Sequence, residues 1–111
     1  MSTFSNVPSV ESAIVINQTL AANGQQVIYT GPSAPNGYGI ISYLKLDISN
    51  ATGSASLLFN GAVFKTVSGG GVYEFFNLNI GPTTYIELRS DLGTGSTARA
   101  IGFGVQFRNG Y

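Results

Sequence analysis

Short runs of alternating apolar and polar residues follow one another along this chain, and glycine, proline and asparagine separate them. Alternation with a period of two predicts β-strands that each have one buried face. The spacing of three to four residues that is typical of an amphipathic helix is not convincing anywhere in the sequence. About eight strands are predicted, at residues 10–18, 25–30, 40–50, 55–59, 62–67, 72–80, 84–90 and 97–108.

This succession of short strands predicts an all-β protein with a single antiparallel β-sandwich of about eight strands, jelly-roll-like, over residues 10–111. Residues 1–9 contain Pro8 and precede the first strand, so we expect an N-terminal arm with Phe4 as its anchor. A length of 111 residues suits one domain. The pattern does not determine the order of the strands in the sheets.

The alternation also predicts which face of each strand is buried. In the third strand the predicted core face is Ile40, Leu44, Leu46 and Ile48, in the seventh it is Ile86 and Leu88, and in the last it is Ile101, Phe103, Val105 and Phe107. The sixth strand has apolar residues on both faces, with Phe76, Leu78 and Ile80 on one and Tyr73 and Phe75 on the other. Either a β-bulge or a second buried face would explain this strand.

The hairpin at residues 54–67 raises the question of assembly, because both of its faces are apolar. Asn60-Gly61 is typical of a type I′ turn, which would pair Phe59 with Ala62, Leu58 with Val63 and Leu57 with Phe64. One face is then predicted to join the core, and it comprises Ala55, Leu57, Phe59, Ala62 and Phe64. The other face leaves Leu58, Val63 and Val67 exposed, either as scattered surface residues or as a contact patch.

The last strand carries Ala98, Ala100, Gly102 and Gly104 on the face that is not predicted to be core. Glycine weakens a strand unless another backbone approaches closely, so these small residues predict a close neighbour, either a loop or another chain. Lysine, which often protects exposed sheet edges, occurs only twice in the sequence. We therefore predict a homo-oligomer whose interface includes Phe4, Leu58, Val63, Val67, Ala98, Ala100, Gly102 and Gly104.

The low content of charged residues and the absence of certain residue types exclude several classes of function. Charged residues make up 9% of the chain, against about 25% in ordinary domains, and the formal net charge is zero. Such a balance argues against a nucleic-acid partner. The absence of cysteine and histidine removes disulfides and the commonest metal ligand and general base, so we expect no enzyme activity, no cofactor and no metal. We also expect no membrane segment and no signal peptide, which points to synthesis in a cytoplasm.

Tyrosine provides the remaining candidate for recognition. Tyr38 lies in a long loop, and Tyr43 and Tyr85 fall on predicted outer faces. Exposed tyrosines serve both protein contacts and stacking on sugar rings. The absence of tryptophan, the usual sugar-stacking residue, favours the protein contact.

The motifs ANGQQVIYTGP at residues 22–32 and SASLLFNGAVF at residues 54–64, in a charge-poor all-β chain, resemble small virion structural proteins of tailed bacteriophages. These include capsid decoration (cement) proteins and the β-sandwich modules of head fibres and tail appendages. The resemblance implies a jelly-roll-like homotrimer that is assembled in the host cytoplasm, binds the major capsid protein or other virion subunits and stabilises the shell. The alternative is a carbohydrate-binding module, or the receptor-binding tip of a fibre or tail appendage.

Overall fold

The protein is described by a computed structural model over residues 10–32, 37–50 and 52–108. In that part of the chain the regular structure is entirely β, and no helix there is long and apolar enough to cross a membrane. The strands are β1 (Val10–Leu20), β2 (Gln25–Thr30), β3 (Tyr38–Ser49), β4 (Gly53–Phe59), β5 (Ala62–Ser68), β6 (Gly71–Ile80), β7 (Tyr85–Leu92) and β8 (Thr97–Arg108). Every strand end lies within two residues of its predicted position.

The strands form two antiparallel sheets of four. Sheet A has the order β1-β8-β3-β6 and sheet B has the order β2-β7-β4-β5. The chain changes sheet at each connection except the β4–β5 hairpin, and this order is that of an eight-stranded jelly roll. The predicted fold class is therefore confirmed, whereas the arm at residues 1–9, with Phe4, lies outside the described residues.

The hydrophobic core fills the space between the two sheets, as expected when each sheet buries one apolar face. Sheet A contributes Ile14, Ile16, Leu20, Ile41, Leu44, Leu46, Ile48, Ile80, Ala98 and Ala100, and sheet B contributes Ala55, Leu57, Val67, Ile86, Leu88 and Leu92. The predicted core positions Leu44, Leu46, Ile48, Ile86 and Leu88 are confirmed.

The predicted core face of β8 is wrong, because the small residues of this strand point inwards. Ala98 and Ala100 are fully buried, whereas Phe103 is 56% exposed. A Cβ on Gly102 would lie 2.7 Å from the carbonyl oxygen of Tyr43, and one on Gly104 would meet that of Ile40. The close neighbour predicted from these glycines is thus β3 of the same chain. Ile101, Val105 and Phe107, also predicted as core, share the outer face with Phe103 and are half-buried there.

A β-bulge in β3 makes the predicted core face wrong at the start of this strand. The pairing of β3 with β8 shifts by one residue between Ile41 and Tyr43. Since an extra residue reverses the alternation, Ile41 is buried and Ile40 lies on the outer face.

The ambiguous strand β6 also contains an irregularity. Asn77 has a φ of 54°, which interrupts the alternation between Phe76 and Leu78. Leu78 packs against the core and Ile80 is buried within it, as predicted, but Phe76 is 61% exposed. Tyr73 and Phe75 instead pack against the core. Neither explanation offered by the sequence holds as stated: Phe76 faces solvent, and the register of β6 with β3 is unbroken past Asn77, so the alternation changes through the backbone of Asn77 and not through an extra residue.

The β4–β5 hairpin follows the predicted turn but not the predicted register beyond it. Asn60 and Gly61 have φ values of 51° and 83°, as a type I′ turn requires. Phe59 pairs with Ala62 and Leu58 with Val63, whereas Leu57 pairs with Lys65. Phe64 is therefore an extra residue in β5.

This extra residue reverses the faces of the rest of β5. Val67 turns into the core and is 7% exposed, so its predicted exposure is wrong. Phe64, predicted as core, is 49% exposed and stacks on Phe59, with ring centroids 4.7 Å apart. Ala62, predicted as core, is exposed as well.

The inward orientation of Ala100 can be tested by stability measurements. Replacement Ala100→Leu overfills the space between the sheets, and we expect the free energy of unfolding to fall by about 1–3 kcal/mol. Replacement Phe103→Ser removes a mostly exposed ring, and we expect a change below about 1 kcal/mol. Urea unfolding followed by circular dichroism measures both. A larger loss of stability for Phe103→Ser than for Ala100→Leu would mean that β8 presents its other face to the core.

Candidate functional site

The surface of the described part of the molecule has no cleft. No cavity opens among residues 10–32, 37–50 and 52–108, and these residues contain no group of three or more side chains able to hold a metal ion.

The outer face of sheet A carries a continuous apolar surface, which we call the aromatic belt. It consists of Val15, Tyr38, Ile40, Tyr43, Phe76, Phe103, Val105 and Phe107. Its central row crosses all four strands, because Phe103 is the register partner of both Val15 and Tyr43, and Tyr43 is that of Phe76. Val15 is 79% exposed, so much of this apolar surface faces solvent.

The rings of the belt contact one another across the strands. The ring centroids of Tyr43 lie 5.4 Å from Phe76 and 5.8 Å from Phe103, and those of Tyr38 and Phe107 are 5.0 Å apart. These are tilted arrangements, in the distance range at which aromatic pairs attract. The contacts hold the rings in place, so the belt presents a preformed surface.

A polar border adjoins the belt on the same face. Lys45 is the register partner of Glu74, and Asp47 is that of Arg99. Arg99 also donates from Nε and Nη2 to Oδ1 of Asn17, at 3.3 Å each. Opposite charges thus neighbour each other, and this border has little net field to attract or repel a charged partner.

The hydroxyl of Tyr43 joins the belt to this border. It donates a hydrogen bond to Oε2 of Glu74 at 2.7 Å. This hydrogen bond, then burial and then the negative charge of Glu74 raise the pKa of Tyr43 above its ordinary value. A tyrosine is protonated at neutral pH even with its ordinary pKa, so Tyr43 donates to the carboxylate there.

A second polar connection links the two sheets at the edge of the core. Tyr29 of β2 donates to Oε1 of Gln106 at 2.7 Å, and Nε2 of Gln106 donates to the hydroxyl of Ser12 at 3.0 Å. Gly39 makes room for the ring, since a Cβ there would lie 2.6 Å from the Tyr29 hydroxyl. Burial raises the pKa of Tyr29. The arrangement joins sheet A to sheet B and offers no free reactive group.

The outer face of sheet B is more polar. Arg89 and Asp91 form an ion pair at 3.0 Å, and Gln25 donates to Glu87 at 2.9 Å. The Ser56 hydroxyl bonds that of Thr66 across the neighbouring strands. Apolar exposure on this outer face is limited to isolated side chains such as Val63 and Val27, which are 53% and 43% exposed.

Most residues of the predicted interface do not lie at the surface. Leu58 lies on the outer face of sheet B but is 3% exposed, and Val67 faces the core. Ala98, Ala100 and Gly102 are buried between the sheets, and Gly104 is half-buried against β3. The prediction that these residues present a contact face is wrong, since their own chain covers them, whereas Val63 is exposed as predicted.

The three predicted glycan contacts are divided between the two sheets. Tyr38 is 46% exposed and belongs, with Tyr43, to the aromatic belt. Tyr85 is half-buried on the outer face of sheet B, where its backbone N–H bonds Oδ1 of Asn60. Only two of the three tyrosines therefore share a surface.

Sequence reasoning missed the larger part of the belt. Phe76, Phe103 and Phe107 were predicted as core because they are large and alternate correctly within their strands. The signal that could have corrected β8 is the pair Gly102 and Gly104, whose missing side chains mark the face that must approach another backbone.

Comparison with known proteins does not assign this chain to a family. No protein-family model matches the chain, and no curated protein matches it.

Titration of the Tyr43 phenol tests its contact with Glu74. Replacement Glu74→Gln exchanges the carboxylate that accepts the Tyr43 hydrogen bond for a neutral amide and removes its negative charge, so we expect the pKa of Tyr43 to fall towards its ordinary value. Ultraviolet absorbance of the phenolate, compared between the variant and the unmodified protein, measures the shift. Glu87→Gln is the matched control, because Glu87 bonds Gln25 rather than a tyrosine. An unchanged titration of Glu74→Gln would contradict the contact.

Proposed function

We propose that this chain is a structural protein of a tailed-bacteriophage virion, and more specifically a capsid decoration (cement) protein that binds and stabilises the assembled shell. It assembles in the host cytoplasm and acts by binding rather than catalysis. Its partners are further copies of itself, as a trimer, and the major capsid protein or other virion subunits. The aromatic belt is the observation that carries this proposal.

The size of the belt supports a role in protein contact. Its eight residues, on strands about 4.8 Å apart and with same-face side chains about 6.8 Å apart along each strand, cover on the order of 260 Å². Contiguous exposed apolar patches of a few hundred Å² are often functional. The ordered rings and neutral border suit a flat protein surface, where aromatic side chains are enriched.

The energetics favour several belts acting together. At about 25 cal/mol per Å², burial of roughly 260 Å² gives on the order of 6–7 kcal/mol before the costs of association. Association costs about 4–15 kcal/mol, so a single belt binds weakly. An oligomer presents several belts to a shell of repeating subunits, and each contact then raises the effective concentration for the next. This arithmetic supports an oligomeric form.

The proposal is tested on virus particles that lack this protein. We expect the purified chain to co-sediment with them, and cryo-electron microscopy to place it on the shell. Replacing Phe76 and Phe103 together by serine should weaken binding at least about tenfold, because both rings are expected to be buried in the contact. The matched control replaces Val63 and Phe64 by serine, since both are exposed and belong to sheet B.

Two outcomes would overturn this function. One is the absence of the chain from the shell of the intact particle. The other is undiminished binding of the Phe76 and Phe103 variant, provided that its circular dichroism spectrum is unchanged.

Glycan binding is the second candidate, in a carbohydrate-binding module or the receptor-binding tip of a fibre. The position of Tyr38 and Tyr43 beside the polar border favours it, because sugar recognition combines stacking with hydrogen bonds. We expect Tyr38→Ala or Tyr43→Ala to abolish binding on a glycan array if this function holds. Tyr85→Ala, on the other sheet, is the matched control. An array with no bound glycan would remove this candidate.

A further inference from the structure

The edge strands of the two sheets differ in how well they are protected against pairing. Within the described residues, the register of β2 is broken between Val27 and Tyr29, β5 contains the extra residue Phe64, and β6 contains Asn77 with a positive φ. Such irregularities disrupt strand addition. The edge strand β1 has none, and its 11 residues pair with β8 in one continuous register.

The composition of β1 also leaves it unprotected. Its sequence, VESAIVINQTL, contains no lysine and no proline, and Glu11 is its single charged residue. Val15 lies at its midpoint and is 79% exposed. A long, regular edge with few charges is a template for pairing with another strand.

We propose that β1 pairs with β1 of a second copy of this chain, antiparallel, across a two-fold axis that passes beside Val15 perpendicular to sheet A. The two sheets A then form one continuous sheet of eight strands. This inference deepens the proposed function and rests on it for the association of copies.

The register follows from the length of the strand. Only the arrangement with Val15 opposite Val15 of the second copy pairs all 11 residues of both strands. It places Ala13 opposite Asn17 and Glu11 opposite Thr19. A shift of one residue would set side chains of opposite faces against each other, and a shift of two would leave residues unpaired.

Charge complementarity supports this register. Glu11 would face Thr19 of the second copy, and the register partner of Thr19 in sheet A is Arg99. Glu11 and Arg99 would then lie two strand spacings apart, about 10 Å between backbones, which two long side chains can span. The symmetry produces this pair twice, and no like charges oppose each other.

The pairing also joins the exposed apolar surfaces. Val15 is the end of the belt's central row, so contact between the two Val15 side chains makes the belts of both copies continuous. A two-fold contact through β1 is compatible with a three-fold contact through another surface.

Single cysteines test the register, because the chain has no cysteine of its own. Directly opposite residues of antiparallel strands have Cα atoms about 4.5–5.5 Å apart, within the range that a disulfide bridges. We therefore expect Val15→Cys to form a covalent dimer under mild oxidation. Gel electrophoresis without reductant measures its rate of formation.

Two neighbouring positions supply matched controls. Ala13 and Asn17 are exposed on the same face of β1 as Val15, but in this register each would lie about 13 Å along the strands from its own counterpart. We expect Ala13→Cys alone or Asn17→Cys alone to cross-link at least about tenfold more slowly. A mixture of the two variants should restore the rate, since residue 13 then faces residue 17.

Equal rates for the three single variants would overturn the proposal, and so would a lack of covalent dimer at concentrations where light scattering detects association. A protein that stays monomeric at every concentration would overturn it as well. The cross-linking experiment and the test on the virion can fail separately. Cross-linking at Val15 without the chain on the shell contradicts the proposed function alone, and a shell-bound chain without this cross-link contradicts the strand pairing alone.

Discussion

The close approach of β3 and β8 is the constraint on which the rest of the structure depends. Gly102 and Gly104 leave no side chain between β8 and the backbone of β3 at the point where β3 is bulged. A larger residue at either position would collide with the carbonyl oxygens of Tyr43 or Ile40. Because alternation along β8 is strict, glycine on the inner side directs Phe103 and its neighbours outwards.

Local irregularities extend this effect to the other strands. The bulge between Ile41 and Tyr43 turns Ile41 inwards and Ile40 and Tyr38 outwards, while Leu44, Leu46 and Ile48 remain in the core. In β6, Asn77 allows Leu78 and Ile80 to face inwards while Phe76 faces solvent. The rings of three strands thus lie on one outer face. The local cause differs between the strands: glycines in β8, a bulge in β3 and a positive φ in β6.

The resulting molecule has two unlike outer faces. The outer face of sheet B carries polar side chains joined by hydrogen bonds and an ion pair. The outer face of sheet A carries aromatic rings in contact with one another, beside pairs of opposite charges. In the proposed assembly, the apolar face of sheet A contacts the partner and the regular edge of β1 contacts a second copy.

The sequence by itself determined the strands, their ends to within two residues, the fold class and the Asn60-Gly61 turn, because these depend on local alternation and local backbone preference. It also indicated through Gly102 and Gly104 that a backbone must lie close to β8. Only the tertiary structure decided that this backbone is β3 and that Phe76 and Phe103 are exposed while Leu58 and Val67 are covered. The physical reason is that one extra residue, or one residue with a positive φ, reverses every later side chain in a strand, and the apolar–polar alternation does not show where such an irregularity falls.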